Sequence, residues 1–396
     1  MVSTKPPIPK VRIGVLGFIT ISVYGSWYYG FGVLLDPIIA DTGWSEASLT
    51  AAFSASSMVA GLGSVLGGWL LDRHGSRLVF GLAAAIGAGS FAVATATTSL
   101  AVFALACAAG GGSFGALGFY HVTQTAAVRV SPEGATRAIA VLTIWGAFAS
   151  AIYIPVTAWL VEATDWRVTL RVTTATAIAT LVVGALSIDT RSVETSSRPP
   201  IWPELRQSLR SSVARRFVVA QGLVGMGVAT ILVYQVPAMT AAGLGLGAAS
   251  FWAAFRGFAQ LGGRLPLMPI VNRLETTGAL RLSYGSIAVG AVLLAFAGSS
   301  LVAAAFAVVA GFGIGASSPL QGMHTRLVFG ASSLGTAMGL LSLVFMVIGA
   351  IGPALAGVIA STTGSRAIPV LGGAVLTAAA IPFIRRPADP DSGESR

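Results

Sequence analysis

The chain has 396 residues, 55% of them hydrophobic and only 10% charged. A soluble domain carries about 25% charged residues, so a single aqueous core cannot hide this much apolar surface and lipid is the natural solvent. The net charge of +10 is spread over short segments between apolar runs, which is topology control and excludes a nucleic-acid face.

Runs long enough to cross a bilayer, about 20 residues each, are predicted at 12–35, 47–71, 78–97, 99–125, 137–161 and 168–188. Six more follow at 215–240, 248–270, 280–297, 300–325, 335–359 and 365–384. Only Thr97, Thr98 and Ser99 part the third run from the fourth. Residues 189–214 differ in kind, with Asp189, Arg191, Glu194, Pro199, Pro200 and Pro203 among them. They form a polar cytoplasmic linker between a six-span half, 1–188, and a second, 215–396, that ends in a short tail. The halves repeat with an offset near 200: Leu71-Asp72-Arg73 returns as Val271-Asn272-Arg273, Pro37 as Pro237, and Gly115-Ala116 as Gly315-Ala316. With the N-terminus inside, nineteen of the 24 basic residues fall on the cytoplasmic side and three on the other. That bias places both termini in the cytoplasm of a multi-pass protein of the cell membrane. Cys107, the single cysteine, lies in an apolar run and is read as packing.

Between the second and third runs stands Gly68-Trp69-Leu70-Leu71-Asp72-Arg73-His74-Gly75-Ser76-Arg77. It resembles the signature loop of the major facilitator superfamily. The resemblance implies an all-α integral membrane fold of twelve transmembrane helices in two parallel six-helix pseudo-repeats, with the substrate path between them. Gly68 is read as permitting a tight helix crossing and Gly75 a tight turn. Arg73 and Arg77 anchor the loop at the cytoplasmic surface. Asp72 sits at a helix C-terminus, where the macrodipole disfavours it, so it needs basic or amide partners. Asn272 and Arg273 form a degenerate copy that lacks the carboxylate. His74 is expected in solvent.

Within the superfamily, Tyr24-Gly25-Ser26-Trp27-Tyr28-Tyr29-Gly30, Pro37, Gly43-Trp44-Ser45 and Arg137-Ala138-Ile139-Ala140 resemble the monocarboxylate and oxalate–formate branch. In that branch an arginine of the eighth span binds the substrate carboxylate, which here implies Arg256. Oxalate-type carriers have a second basic residue in the eleventh span, and none stands between Ala337 and Ile359. A monocarboxylate therefore fits better than a small dicarboxylate.

The residues support the same direction. Charge inside a membrane is costly and usually functional, and no acid falls at the centre of any run. Arg256 and Arg264 do fall within the eighth, with Gln260 between them on one helical face. A guanidinium facing the cavity pairs bidentately with a carboxylate. The alternative is that Arg256 ties helices together through backbone carbonyls or Asp36. Arg264, nearer the inner end, is assigned to the gate or to helix contacts. Tyr28, Trp27 and Tyr153 are candidate lining residues, each equally compatible with packing. His121 and His324, near the inner ends of the fourth and tenth runs, are candidates for proton coupling, as is Asp36. Hydrogen bonding at a helix end is the competing account of both histidines.

No nucleotide-binding loop, catalytic constellation or metal spacing is present, so neither an enzyme nor a cofactor is expected. The function that follows is secondary transport of a small organic anion by alternating access, coupled to protons or a counter-substrate, by a monomer in the bilayer. The alternative is an exporter of neutral or amphiphilic compounds, with Arg256 structural.

Overall fold

The structure, a computed structural model, describes residues 9–190, 210–329 and 334–386. Among these every regular element is helical. Long apolar segments require this outcome, because lipid offers backbone amides and carbonyls no partner outside the helix.

The first span, Lys10–Thr42, is α-helical except for a π-helical stretch at Tyr24–Tyr29. The second and third spans form one continuous run of 51 residues, Glu46–Ala96. At 1.5 Å per residue it is about 77 Å long, more than twice the roughly 30 Å of a hydrocarbon core. It makes two crossings by folding at Gly75, where φ is 78° and ψ 175°. Its start is capped by Ser45, whose hydroxyl accepts from the Ser48 amide at 3.2 Å.

The fourth span, Leu100–Val130, breaks at Phe119. The fifth is Ala135–Ala163 and the sixth Trp166–Ser187, capped by Asp165. The seventh is Ser212–Ala241, the eighth opens with Leu246–Arg264, the ninth lies within Leu267–Ala295 and the tenth is Ser300–Phe329. The eleventh comprises Leu334–Gly349 and Ile351–Thr363, and the last is Ala367–Ala380 with a closing turn, Ile381–Phe383.

Nine described helices are long and apolar enough to span a membrane by that measure alone. The twelve expected crossings are reconciled by the fold at Gly75 and by two helices with less apolar length. The eighth is diluted by Arg256, Gln260 and Arg264, and the twelfth is short. The eighth helix breaks at Arg264 because Pro266 cannot continue the ladder. The helix that follows, Leu267–Ala295, folds at Glu275, where φ is 57° and ψ 171°. Its turns up to Leu274 carry the eighth span past the expected 270, and the remainder is the ninth. Residues 191–209, most of the expected linker, lie outside the described residues, as do Lys5 and Arg396.

Elements before and after that segment pack together along three seams: the first span on the seventh, the second on the eleventh, and the fifth on the eighth. Small residues make the approach possible. A side chain at Gly32 would collide with the Val233 carbonyl, and one at Gly357 with Thr50. Outside these seams, large apolar side chains such as Leu62, Leu105, Leu186 and Val375 are exposed around the bundle, as a lipid-facing surface requires.

Candidate functional site

Two backbone irregularities meet in the middle of the bundle. In the first span the Gly30 amide donates to the Gly25 carbonyl five residues back, at 3.0 Å. Such a π-turn adds a residue and rotates the side chains that follow; it recurs at functional sites. It is accommodated because Gly25 leaves room for the Tyr153 ring. In the fourth span, Phe119 is extended, with φ −76° and ψ 178°. Tyr24 stacks on Phe119 with centroids 3.7 Å apart and planes 9° from parallel. Tyr28, Tyr29 and Tyr120 surround that stack, half-buried.

Across from these rings stands Arg256, fully buried. Its Nε donates to Gln235 Oε1 at 2.8 Å. The Gln235 amide is itself oriented, since its Nε2 donates to the Leu232 carbonyl at 3.1 Å. Both terminal nitrogens of the guanidinium, Nη1 and Nη2, are buried without a hydrogen-bond partner. No ion pair among the described residues includes Arg256. Tyr28 and Tyr29 lie within electrostatic reach of it, and Tyr29 also of Arg264. Gln260, one turn along, is buried and its side chain makes no hydrogen bond among the described residues. The centre therefore holds a buried guanidinium with two donors that meet no acceptor.

Arg264 lies nearer the end that carries Lys10 and Arg385, the near side. It donates through Nη1 to the Thr143 carbonyl at 3.1 Å and through Nε towards the Gly315 carbonyl at 3.4 Å. Tyr120 reaches the same Thr143 carbonyl at 3.5 Å. This places Arg264 at the seam between the fifth and eighth spans.

Several expected lining and coupling residues are held elsewhere. Trp27 is 3% exposed, and its indole N–H donates to Ser56 Oγ at 2.8 Å, so it packs the first span on the second. The Tyr153 hydroxyl is engaged with Thr176 at 2.5 Å, and its ring supports the π-turn from behind. His121 Nε2–H donates to the Ala116 carbonyl at 2.9 Å, bridging the break in the fourth span. His324 is fully buried, edge-on to Phe217, with neither nitrogen hydrogen-bonded. Beside it in sequence, Gln321 donates to Gln221 Oε1 and to the Tyr284 hydroxyl, at 2.9 and 3.1 Å. The two histidines thus keep separate company.

Asp36 is not a partner of Arg256. It pairs with Arg366, which precedes the twelfth helix; Nη1 donates to Asp36 Oδ2 at 2.9 Å, and Nη2 reaches Oδ1. Arg366 also holds Glu46 at 3.2 Å and the Pro237 carbonyl at 3.2 Å. One guanidinium thereby closes the far side across the first, second and seventh spans. Burial alone would weaken the charge of Arg366, but the bonds and charges of Asp36 and Glu46 outweigh it and raise its pKa above the ordinary arginine value.

At the signature loop, Asp72 pairs with Arg129, whose Nη1 also donates to the Leu71 carbonyl at 2.8 Å. Arg73 lies over the Trp69 ring at 5.5 Å, and Arg77 and His74 are exposed. The tight crossing belongs to Gly67, where a Cβ would overlap the Ala116 carbonyl; Gly68 faces open space. Gly75 turns against the Thr190 carbonyl, and Ser76 clamps the loop by donating from its amide to Thr190 Oγ1 and from its hydroxyl to the Ile188 carbonyl. Asn272 and Arg273 are exposed.

Gln235, the partner of the central cation, is a residue that sequence reasoning missed. Its signal was an amide in an otherwise apolar run, two residues before Pro237.

A family model described as Major Facilitator Superfamily matches residues 16–324 and 219–396. No curated protein matches the chain. Among solved structures, the fold is similar to that of the nucleoside transporter NupG, in a point-mutant form, with a TM-score of 0.81 at 14% identity, covering 95% of this chain and 100% of that one. It is also similar to a bacterial homologue of the human lysosomal transporter Spinster, inward-facing and unoccupied, with a TM-score of 0.71 at 16% identity over 96% and 95% of the two chains. An auto-inhibited peptide transporter of the POT family gives a TM-score of 0.70 at 14% identity over 98% and 99%. Likeness at this identity concerns the fold alone.

Proposed function

We propose that this chain, which belongs to the Major Facilitator Superfamily, is a secondary transporter of small organic anions, monocarboxylates fitting best. The observation that carries the proposal is Arg256: fully buried, with Nη1 and Nη2 unpartnered. An unneutralised buried guanidinium costs several kcal/mol of desolvation, in order of magnitude, and it persists where a ligand supplies the missing charge. A carboxylate accepts from both nitrogens at once, while Tyr28 and Tyr29 offer hydroxyls and apolar faces to the rest of the molecule.

The transport cycle is a rocking of the two sets of spans about this point. In the conformation described, Arg366 bars the far side. The near side carries the basic surplus and faces the cytoplasm, so the arrested state is closed to the exterior. Protons or a counter-substrate supply the driving gradient.

The test is thermal unfolding of the purified full-length protein with lactate or benzoate against lactamide or benzamide, followed by uptake of the labelled acids into proteoliposomes. A ligand at a hundred times its Kd stabilises by about 2.7 kcal/mol. The acids are expected to stabilise and to be taken up, the amides not, and Arg256→Gln is expected to abolish both effects. Stabilisation by the amides as strongly as by the acids, unchanged in R256Q, overturns the proposal in favour of an exporter of neutral compounds.

A further inference from the structure

The side chain touching Arg256 is an amide, where a carboxylate of the same length could also reach Nε. Gln235 and Arg256 come from different spans, the seventh and eighth, and both are almost wholly buried. The bond between them is short and well formed, 2.8 Å from Nε to Oε1. The amide cannot be reversed without loss, because its Nε2 is engaged by the Leu232 carbonyl. Gln235 therefore presents only an oxygen to the guanidinium, and it does so at Nε, on the edge away from the free Nη pair. Glutamate has the same length and would place an oxygen at the same point, giving up the bond to the Leu232 carbonyl. It would also neutralise the cation, leaving the Nη groups as donors in a site of no net charge. The far-side carboxylates of Asp36 and Glu46 are both committed to Arg366.

We infer that Gln235 is the residue that sets charge selectivity: as a neutral positioning residue it orients Arg256 without consuming its charge, and so makes the site select anions over their neutral isosteres. The inference rests on the anion-transport reading above and adds the residue on which that selectivity depends. Two functions of the side chain are separable. Orientation requires only an acceptor at the Oε1 position. Selectivity requires that the acceptor carry no charge.

The experiment uses the full-length protein and the probes lactate, lactamide, benzoate and benzamide, comparing wild type with Gln235→Glu and Gln235→Leu. Affinities are read from ligand-dependent thermal shifts and from uptake into proteoliposomes. In wild type the acids are preferred. In Q235E the acid-to-amide preference is expected to fall at least tenfold. In Q235L, which leaves Nε without an acceptor but does not neutralise it, acid affinity is expected to fall while the preference for acid over amide is kept. Wild-type preference in Q235E, with R256Q inactive, overturns this inference and leaves the anion reading standing. Equal loss of preference in Q235E and Q235L also overturns it, since orientation alone would then account for the effect. Absence of acid preference in wild type overturns both readings.

Discussion

Gly75 and Glu275 stand 200 positions apart and share one backbone conformation, φ 78° and ψ 175° at the first, φ 57° and ψ 171° at the second. Glycine enters that region freely, whereas a side chain there is strained. Each marks the fold of a helix on the near side, so the repeat has kept the bend and lost the residue that makes it free of strain. Glu275 is held by Arg386 at 3.0 and 3.1 Å, a pair exposed on both sides and worth at most about 1 kcal/mol.

Replacing Glu275 with glycine is therefore expected to stabilise the protein. Relief of about 1–3 kcal/mol of strain exceeds the lost pair and the added chain entropy, leaving a net gain near 1 kcal/mol. Thermal unfolding in detergent should show E275G above wild type and Glu275→Ala at or below it. If the two variants melt together, strain is not stored at this position.

On the proposed reading, the central arginine lowers stability in return for binding. Two unsatisfied buried donors cost about 1–3 kcal/mol each, so R256Q should melt higher than wild type in the absence of ligand while gaining nothing from lactate or benzoate. A lower melting temperature for the ligand-free variant would mean that Arg256 holds helices together.

Arg366 is expected to control the far side. In Arg366→Gln, Asp36 and Glu46 lose their shared cation, at a cost of roughly 1–3 kcal/mol for a partly buried network. Spin labels at Thr164 and Thr362, both exposed at that end, should shift to longer separations by double electron–electron resonance. Unchanged distances would show that close backbone packing, as at Gly32, seals this side unaided.

Gly67 and Gly68, adjacent at the head of the signature segment, should behave oppositely. Gly67→Ala drives a Cβ into the Ala116 carbonyl and is expected to cost about 1–3 kcal/mol. Gly68→Ala meets no atom within 4 Å and should lie within about 0.5 kcal/mol of wild type. Measured melting temperatures that rank the pair the other way would contradict the packing described.

Much of the fold is legible from hydropathy because a bilayer imposes one length and one backbone solution on every crossing. Arg256 is legible for the complementary reason, since a charge within such a run has few excuses. Its surroundings are harder to read. The bond to Gln235 joins separate helices, and no periodicity predicts it. Asp36 and Arg366 are 330 residues apart, and only their shared end of the bundle hinted at a meeting. The π-turn escaped because it changes which face Tyr28 and Tyr29 present without altering composition, and Trp27 fell on the packing side as a result. Gly67 and Gly68 are identical as letters; only the neighbouring fourth span distinguishes them.

At the far side one guanidinium serves two carboxylates, so the closed mouth is net negative. An anion diffusing towards it from that compartment is repelled, while one on the opposite side meets a surface rich in arginine. Charge at the rims thus biases encounter before any binding occurs, as a rectifier biases current. That asymmetry is carried by long-range fields and fades as salt shortens the Debye length to about 8 Å at physiological strength.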